Sequence, residues 1–143
     1  MQVFTFAVHC AIIIIDYPKQ INYNIGMNIC ITGHRNCAIK EEELDILLSR
    51  IIMQYPDPTL LIGGAKGFDT FVINWSNKHA IAHIIIKPDY TKYHYKRAPL
   101  ERNKVMVDNS DCIVAYYDGR ETGGTAYTVA YAQKTNKIIH LIK

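Results

Sequence analysis

The stretch MNICITGHR, residues 27–35, reads as a short buried strand, Asn28 to Thr32, stopped by Gly33 and followed at once by His34 and Arg35. A β-branched run that empties into a glycine turn carrying polar side chains is the opening of a strand-to-helix unit. The same design recurs downstream. Thr59 to Ile62 ends at Gly63-Gly64, Ala82 to Lys87 is cut by Pro88, Asp111 to Tyr116 runs into Tyr117-Asp118-Gly119, and Lys137 to Ile142 closes the chain. Between these runs the spacing changes to that of helices. Lys40 to Tyr55 places Leu44, Leu47, Leu48, Ile51, Ile52 and Tyr55 on one face, with Glu41 to Glu43 in the first turn, where the helix dipole favours acid. Phe68 to His79, a segment from Pro99 to Asp108, and Thr125 to Thr135 complete the set. Strands that are continuously apolar and alternate with helices predict a parallel sheet covered on both sides. The fold class expected is α/β: a doubly wound, mostly parallel five-stranded Rossmann-like sheet with helices on both faces.

Upstream of Met27 the pattern breaks. Residues 1–26 hold two apolar runs, Val3 to Val8 and Ala11 to Ile15, and then the turn-prone DYPKQINYN with Pro18. This N-terminal extension has two open readings, an extra strand at the sheet edge or a poorly ordered segment. The chain thus divides into an extension, 1–26, and one domain, 27–143.

Composition narrows the class. With 143 residues, 49% hydrophobic and 20% charged, the chain is neither disordered nor fibrous. The net charge of +3, from 16 Lys and Arg against 13 Asp and Glu, is too weak for a general nucleic-acid coat. Cys10, Cys30, Cys37 and Cys112 form no CxxC pair, so neither a disulfide framework nor a zinc site is expected. The run Ala11 to Ile15 falls far short of the roughly 20 residues that span a bilayer. No basic n-region opens the chain, and the expected location is the cytoplasm.

In doubly wound sheets ligands bind beyond the carboxyl ends of the strands. The residues there are Gly33, His34 and Arg35; Gly63, Gly64, Ala65 and Lys66; and, after the fourth strand, Tyr117, Asp118 and Glu121 leading to Gly123, Gly124 and Thr125. Glycines at three strand ends admit close approach of a ligand, and helices that start there aim free N–H groups at an anion. A phosphate-bearing ligand is the natural guest. The loop after the second strand is not a P-loop, because Lys66 precedes Gly67 and no GK[ST] follows, and neither it nor the Gly123-Gly124 loop is a GxGxxG fingerprint. Asp69 is read as a helix N-cap. Tyr117 and Tyr127 are candidates to stack on a base. The pair His79 and His83 straddles a helix-to-strand connection, and no metal is expected. Tyr90 to Lys104 interleaves Tyr90, Tyr93 and Tyr95 with Lys92, Lys96, Arg97, Arg102 and Lys104. Such a stretch either binds single-stranded nucleic acid or steers an anionic nucleotide into the cleft. The low overall charge sets nucleic acid aside as a partner.

Jointly, Thr32-Gly33-His34-Arg35, the loop Gly63 to Asp69, Arg102-Asn103 with Met106, Ser110-Asp111, and Gly123-Gly124-Thr125 with Tyr127 resemble the SLOG superfamily, which joins the Lonely-Guy enzymes, the DNA-processing-protein-A-like proteins and the YpsA-like proteins. The resemblance covers Met27 to Lys143 and is greatest to small YpsA-like members. It implies binding of a nucleotide-derived small molecule, such as an ADP-ribose-type or cyclic nucleotide signal, to be sensed or sequestered by a homo-oligomer without a further cofactor. It also adds Arg102 and Asn103 to the phosphate-binding candidates. Lonely-Guy phosphoribohydrolases carry PGGxGTxxE, and the position matching its glutamate here is Thr128. Binding without cleavage is therefore the expectation, with Asp118 and Glu121 as the substitute acids should a 5'-monophosphate be hydrolysed.

Overall fold

The computed structural model describes residues 13–15 and 26–143. In chain order its elements are β1 (Ile13–Ile15), β2 (Asn28–Gly33), α1 (Glu41–Ile52), β3 (Thr59–Ile62), α2 (Phe68–Lys78), β4 (Ala82–Ile86), α3 (Ala98–Asp108), β5 (Cys112–Tyr116), α4 (Gly124–Lys134) and β6 (Ile138–Ile142). The strands form one sheet in the order β1-β4-β3-β2-β5-β6, and every described pairing is parallel. The five strands expected after Met27 are all present, within a residue or two of the bounds read from the sequence. Ile13–Ile15 adds a sixth beside β4, with Ile13 opposite Ile84 and Ile15 opposite Ile86. The apolar run Val3 to Val8 lies outside the described residues.

The strands are apolar throughout because both faces are covered. Along β2, Ile29 and Ile31 point to one side and Cys30 to the other; β3 divides the same way, with Leu60 and Ile62 against Leu61. One face packs on α1 through Leu44, Leu48 and Ile52 and on α2 through Phe68, Val72 and Trp75. The other packs on α3 through Met106 and Val107 and on α4 through Val129 and Ala132. Each fully buried aliphatic side chain contributes about 1.5–3 kcal/mol relative to exposure, so these two layers hold the fold. Cys30, Cys37 and Cys112 are free thiols, and Cys10 falls outside the described residues. Among the described residues no helix is long and apolar enough to cross a membrane.

Topology positions the cleft. From the central β2 the chain winds outward through β3 to β4, then crosses back by way of α3 to β5 on the other side of β2. The loops after β2 and β5 leave in opposite directions, which opens a crevice at their carboxyl ends, where doubly wound folds hold ligands.

Candidate ligand cleft

A cavity of about 320 Å³ occupies that crevice, walled by the ends of β2 and β3, the first turns of α3, and the segment from Arg120 into α4. Among its lining residues are Gly33, His34, Arg35, Gly63, Ala65, Arg102, Asn103, Gly123, Gly124 and Thr125, brought together from four separate parts of the chain.

The glycines divide into two kinds. A Cβ on Gly33 would lie 2.3 Å from the Phe68 ring, and one on Gly63 would lie 2.7 Å from the Arg102 guanidinium carbon. Gly67 has φ +87° and would drive a Cβ to 1.9 Å from the Arg35 carbonyl oxygen. These three are required by the protein's own packing. Gly123 and Gly124 differ: a Cβ on Gly123 meets nothing within 4 Å, and one on Gly124 approaches only Asn103 Nδ2, at 3.9 Å. Bare backbone at that corner leaves room for something else.

The N-terminus of α4 is open in the same sense. No side chain caps it, and no acidic residue stands in its first turn. Its first intrahelical bond of this end runs from the Tyr127 amide to the Gly123 carbonyl, so the amides of Gly124, Thr125 and Ala126 have no intrahelical acceptor. The start of α2 is more occupied, since the Phe68 amide donates to the His34 carbonyl at 3.3 Å.

Arg102 lines the same cavity as this terminus and is only 8% exposed. Its Nη1 donates to the Gly63 carbonyl at 2.8 Å and to the Ile86 carbonyl at 3.0 Å, and its Nε donates to Asn103 Oδ1 at 2.7 Å. Nη2 makes no hydrogen bond among the described residues. Burial lowers the pKa of this guanidinium, and the charge of Asp69 works against that shift. The group remains a cation, since arginine stays protonated in proteins. Arg102 therefore joins the ends of β3 and β4 while keeping one donor edge free.

A relay continues to the helix terminus. Asn103 Nδ2 donates to Thr128 Oγ1 at 2.8 Å, and Thr128 Oγ1 donates to the Gly124 carbonyl at 2.7 Å. Thr128 is 1% exposed. The position matched to the Lonely-Guy glutamate thus holds a hydroxyl that accepts one bond and donates another, two roles an ionised carboxylate cannot combine.

The remaining sequence candidates lie off the cleft wall. Lys66 and Glu121 are exposed, and Gly64 and Tyr127 border the site without lining it. Asp118 is bound by Arg120, whose hydrogen bonds hold its carboxyl well below the usual carboxylate range. His34 Nε2 stands 3.0 Å from Asp118 Oδ1, and the Tyr117 hydroxyl donates to the Arg120 carbonyl, so this group ties the β5 loop to β2. His79 and His83 do not converge: His79 meets Asp45 at 2.8 Å, whereas His83 meets Ser76 at 2.9 Å.

Residues that the motif reading passed over complete the wall, among them Asn36, Leu100 and Arg120, and so does Asp69, which it read otherwise. Asp69 is not the N-cap expected. It is the second residue of α2, behind the N-cap Gly67, and its Oδ2 accepts the Ala65 amide at 3.0 Å. Only 6% of it is exposed, and burial pushes its carboxyl up to about 6, against the pull of the Ala65 and Gly64 amides and of Arg102. An Asp placed three residues after Lys66 in a glycine-rich loop was the one signal available for it.

Residues 27–93 match the family model described as the YspA, cpYpsA-related SLOG family. No curated protein sequence matches the chain significantly. Two solved structures resemble it strongly in fold. DNA processing protein A from Streptococcus pneumoniae superposes with a TM-score of 0.65 at 12% identity, covering 82% of this chain and 50% of that one. DNA processing protein A from Helicobacter pylori gives 0.61 at 17% identity, covering 82% and 65%, and its structure concerns that protein's single-stranded DNA binding mode. The chain therefore spans between half and two-thirds of the length of these neighbours. The SLOG resemblance and the Rossmann-like fold are both borne out. The expectation that set nucleic acid aside as a partner is overturned, because a protein built on this fold binds single-stranded DNA, and weak net charge is no ground for dismissal.

Proposed function

We propose that this SLOG-type domain binds a nucleotide-derived ligand by its phosphate in the cleft between β2, β3, α3 and α4, and holds it without cleaving its N-glycosidic bond. The observation that carries the reading is the pairing of an uncapped helix N-terminus, at Gly123 to Thr125, with the free donor edge of Arg102 across the same cavity. Backbone amides and a guanidinium together suit a dianionic phosphate, the first by dipole and the second by its planar fork of donors. A volume near 320 Å³ suits one nucleotide unit. Cleavage through an oxocarbenium-like sugar needs a carboxylate poised for acid–base or charge-stabilising work. Thr128 is engaged with Asn103 and Gly124, and Asp118 is engaged with Arg120, which favours binding alone.

Single-stranded nucleic acid is the second reading, and a specific surface favours it. Tyr90 and Tyr95 are 60% and 63% exposed on the segment that leads into α3, with Lys92 and Arg97 beside the Tyr93 ring and Lys96 beside the Tyr95 ring. Exposed aromatics among cations are a stacking platform for unpaired bases, and the solved neighbours are DNA processing proteins.

Calorimetry on the full chain with AMP, ADP-ribose, a cyclic dinucleotide and a 5'-phosphorylated oligothymidylate, at two salt concentrations, separates the readings. A saturable small ligand with weak salt dependence, recovered intact by chromatography, supports the first. Binding of the oligonucleotide alone, with affinity falling steeply as salt rises, replaces it with the second. Protein-dependent release of free base overturns binding without cleavage.

A further inference from the structure

A carboxylate on the wall of an anion-binding cleft is an energetic oddity. It repels the phosphate that the Gly123 to Thr125 amides and Arg102 would attract, and its burial costs free energy that no direct ion pair returns, since none reaches Asp69 among the described residues. A purely structural role does not account for the charge. The tasks Asp69 performs in the loop are to accept the Ala65 amide, at 3.0 Å, and that of Gly64. A neutral asparagine oxygen would serve for those without the desolvation cost.

We propose that Asp69 is a specificity-determining residue that accepts hydrogen bonds from the ribose hydroxyls of the ligand, so that the cleft takes ribonucleotides in preference to 2'-deoxyribonucleotides. The inference rests on the phosphate reading above. With the phosphate at the start of α4, the next donors a nucleotide presents are its sugar hydroxyls. Asp69 lines the same cavity as Gly124 and Thr125, on the wall formed by the β3–α2 loop with Gly63 and Ala65. An ionised carboxylate has about four acceptor sites, and two amides leave the rest available to a diol. Uncharged donors satisfy it where a second anion cannot. A site built around a buried acceptor also rejects a ligand lacking the matching hydroxyl, because the acceptor is then left dry and unpaired.

The test is base-matched calorimetry of the full chain with the four ribonucleoside 5'-monophosphates and their 2'-deoxy counterparts, on wild type and Asp69→Asn, each checked by thermal melting. The expected wild-type result is at least tenfold tighter binding of the ribo form for the preferred base. In Asp69→Asn that ratio should fall below about threefold, with most of the loss on the ribo form. Equal wild-type affinity for ribo and deoxy forms overturns the proposal while leaving the phosphate reading standing, and this needs no variant to fold. A ratio unchanged in a folded Asp69→Asn likewise returns Asp69 to a loop-holding role. If no monophosphate of either sugar and no inorganic phosphate binds, the phosphate reading itself has failed, and this inference falls with it.

Discussion

Among the described residues, Asp69 and Arg102 are the carboxylate and the guanidinium that are kept out of water, and their consequences for stability are opposite. The folded carboxyl of Asp69 holds its proton more tightly than an unfolded one, with a pKa raised from 3.8 to about 6. Folding is therefore penalised where the unfolded chain is ionised, an effect absent below about pH 4, growing as pH rises toward 6 and constant above it. Two units correspond to about 2–3 kcal/mol. Asp69→Asn should melt higher than wild type at pH 7.5, and the two should converge as pH falls from 6 to 4; a pH-independent difference would contradict the buried, ionised carboxylate. Arg102 behaves the other way. The sequence places it at the cleft, where truncation would spare the fold, yet its guanidinium serves the carbonyls of Gly63 and Ile86. Arg102→Ala should cost about 2–4 kcal/mol in urea denaturation, because buried acceptors lose their donor, in addition to weakening any phosphate ligand. The residue's double duty was hidden from the sequence, since nothing in Arg102-Asn103 tells which strand ends lie within reach.

At the scale of elements, what matters is how α2 and α4 begin. Both start behind a glycine of positive φ, Gly67 at +87° and Gly123 at +105°, and the sequence shows both as the same kind of glycine cluster. Tertiary contacts separate them. Gly67 abuts the Arg35 carbonyl, whereas Gly124, the first residue of α4, looks onto the cavity. Gly67→Ala should destabilise the fold by several kcal/mol, about 1–3 from the backbone conformation plus the clash. Gly124→Ala should leave the melting temperature unchanged or slightly higher, because alanine suits a helix better. It should nevertheless weaken a phosphate-bearing ligand tenfold or more by filling the approach to the amides. Similar losses of stability in both variants, measured by thermal melts, would show that Gly124 also serves packing. This pair marks the limit of the sequence reading. Strand and helix order were legible because burial on both faces leaves continuous apolar runs such as Thr59 to Ile62, and the loops were legible because glycine punctuates them. Which glycine makes room for Phe68 or Arg102 and which leaves room for a guest depends on side chains distant in sequence. The same dependence hid Arg120, which an exposed pairing with Asp118 places on the cleft wall.

For the whole molecule, the question is how much of the chain is needed to make it. Among the described residues, both apolar layers of the sheet are built from residues between Ile29 and Ile142, and the four described helices lie in that interval. Of the segment before Met27, the described contribution to the sheet is Ile13–Ile15, a three-residue strand on the outer side of β4. Removing residues 1–26 should therefore keep a cooperative thermal transition and the same helical circular dichroism, since neither core loses any of its described members. The cost should appear at the edge. Without β1, the backbone donors and acceptors of β4 along Ala82–Ile86 become an unpaired apolar edge, the kind that recruits other strands. The truncated domain is expected to melt a few degrees lower and to self-associate with rising concentration, seen by light scattering. A charge placed on that edge, Ala82→Lys, should suppress the association without lowering the melt further, because Ala82 is exposed. A truncated chain without a cooperative transition at any concentration would show that residues 1–26 belong to the folding unit itself.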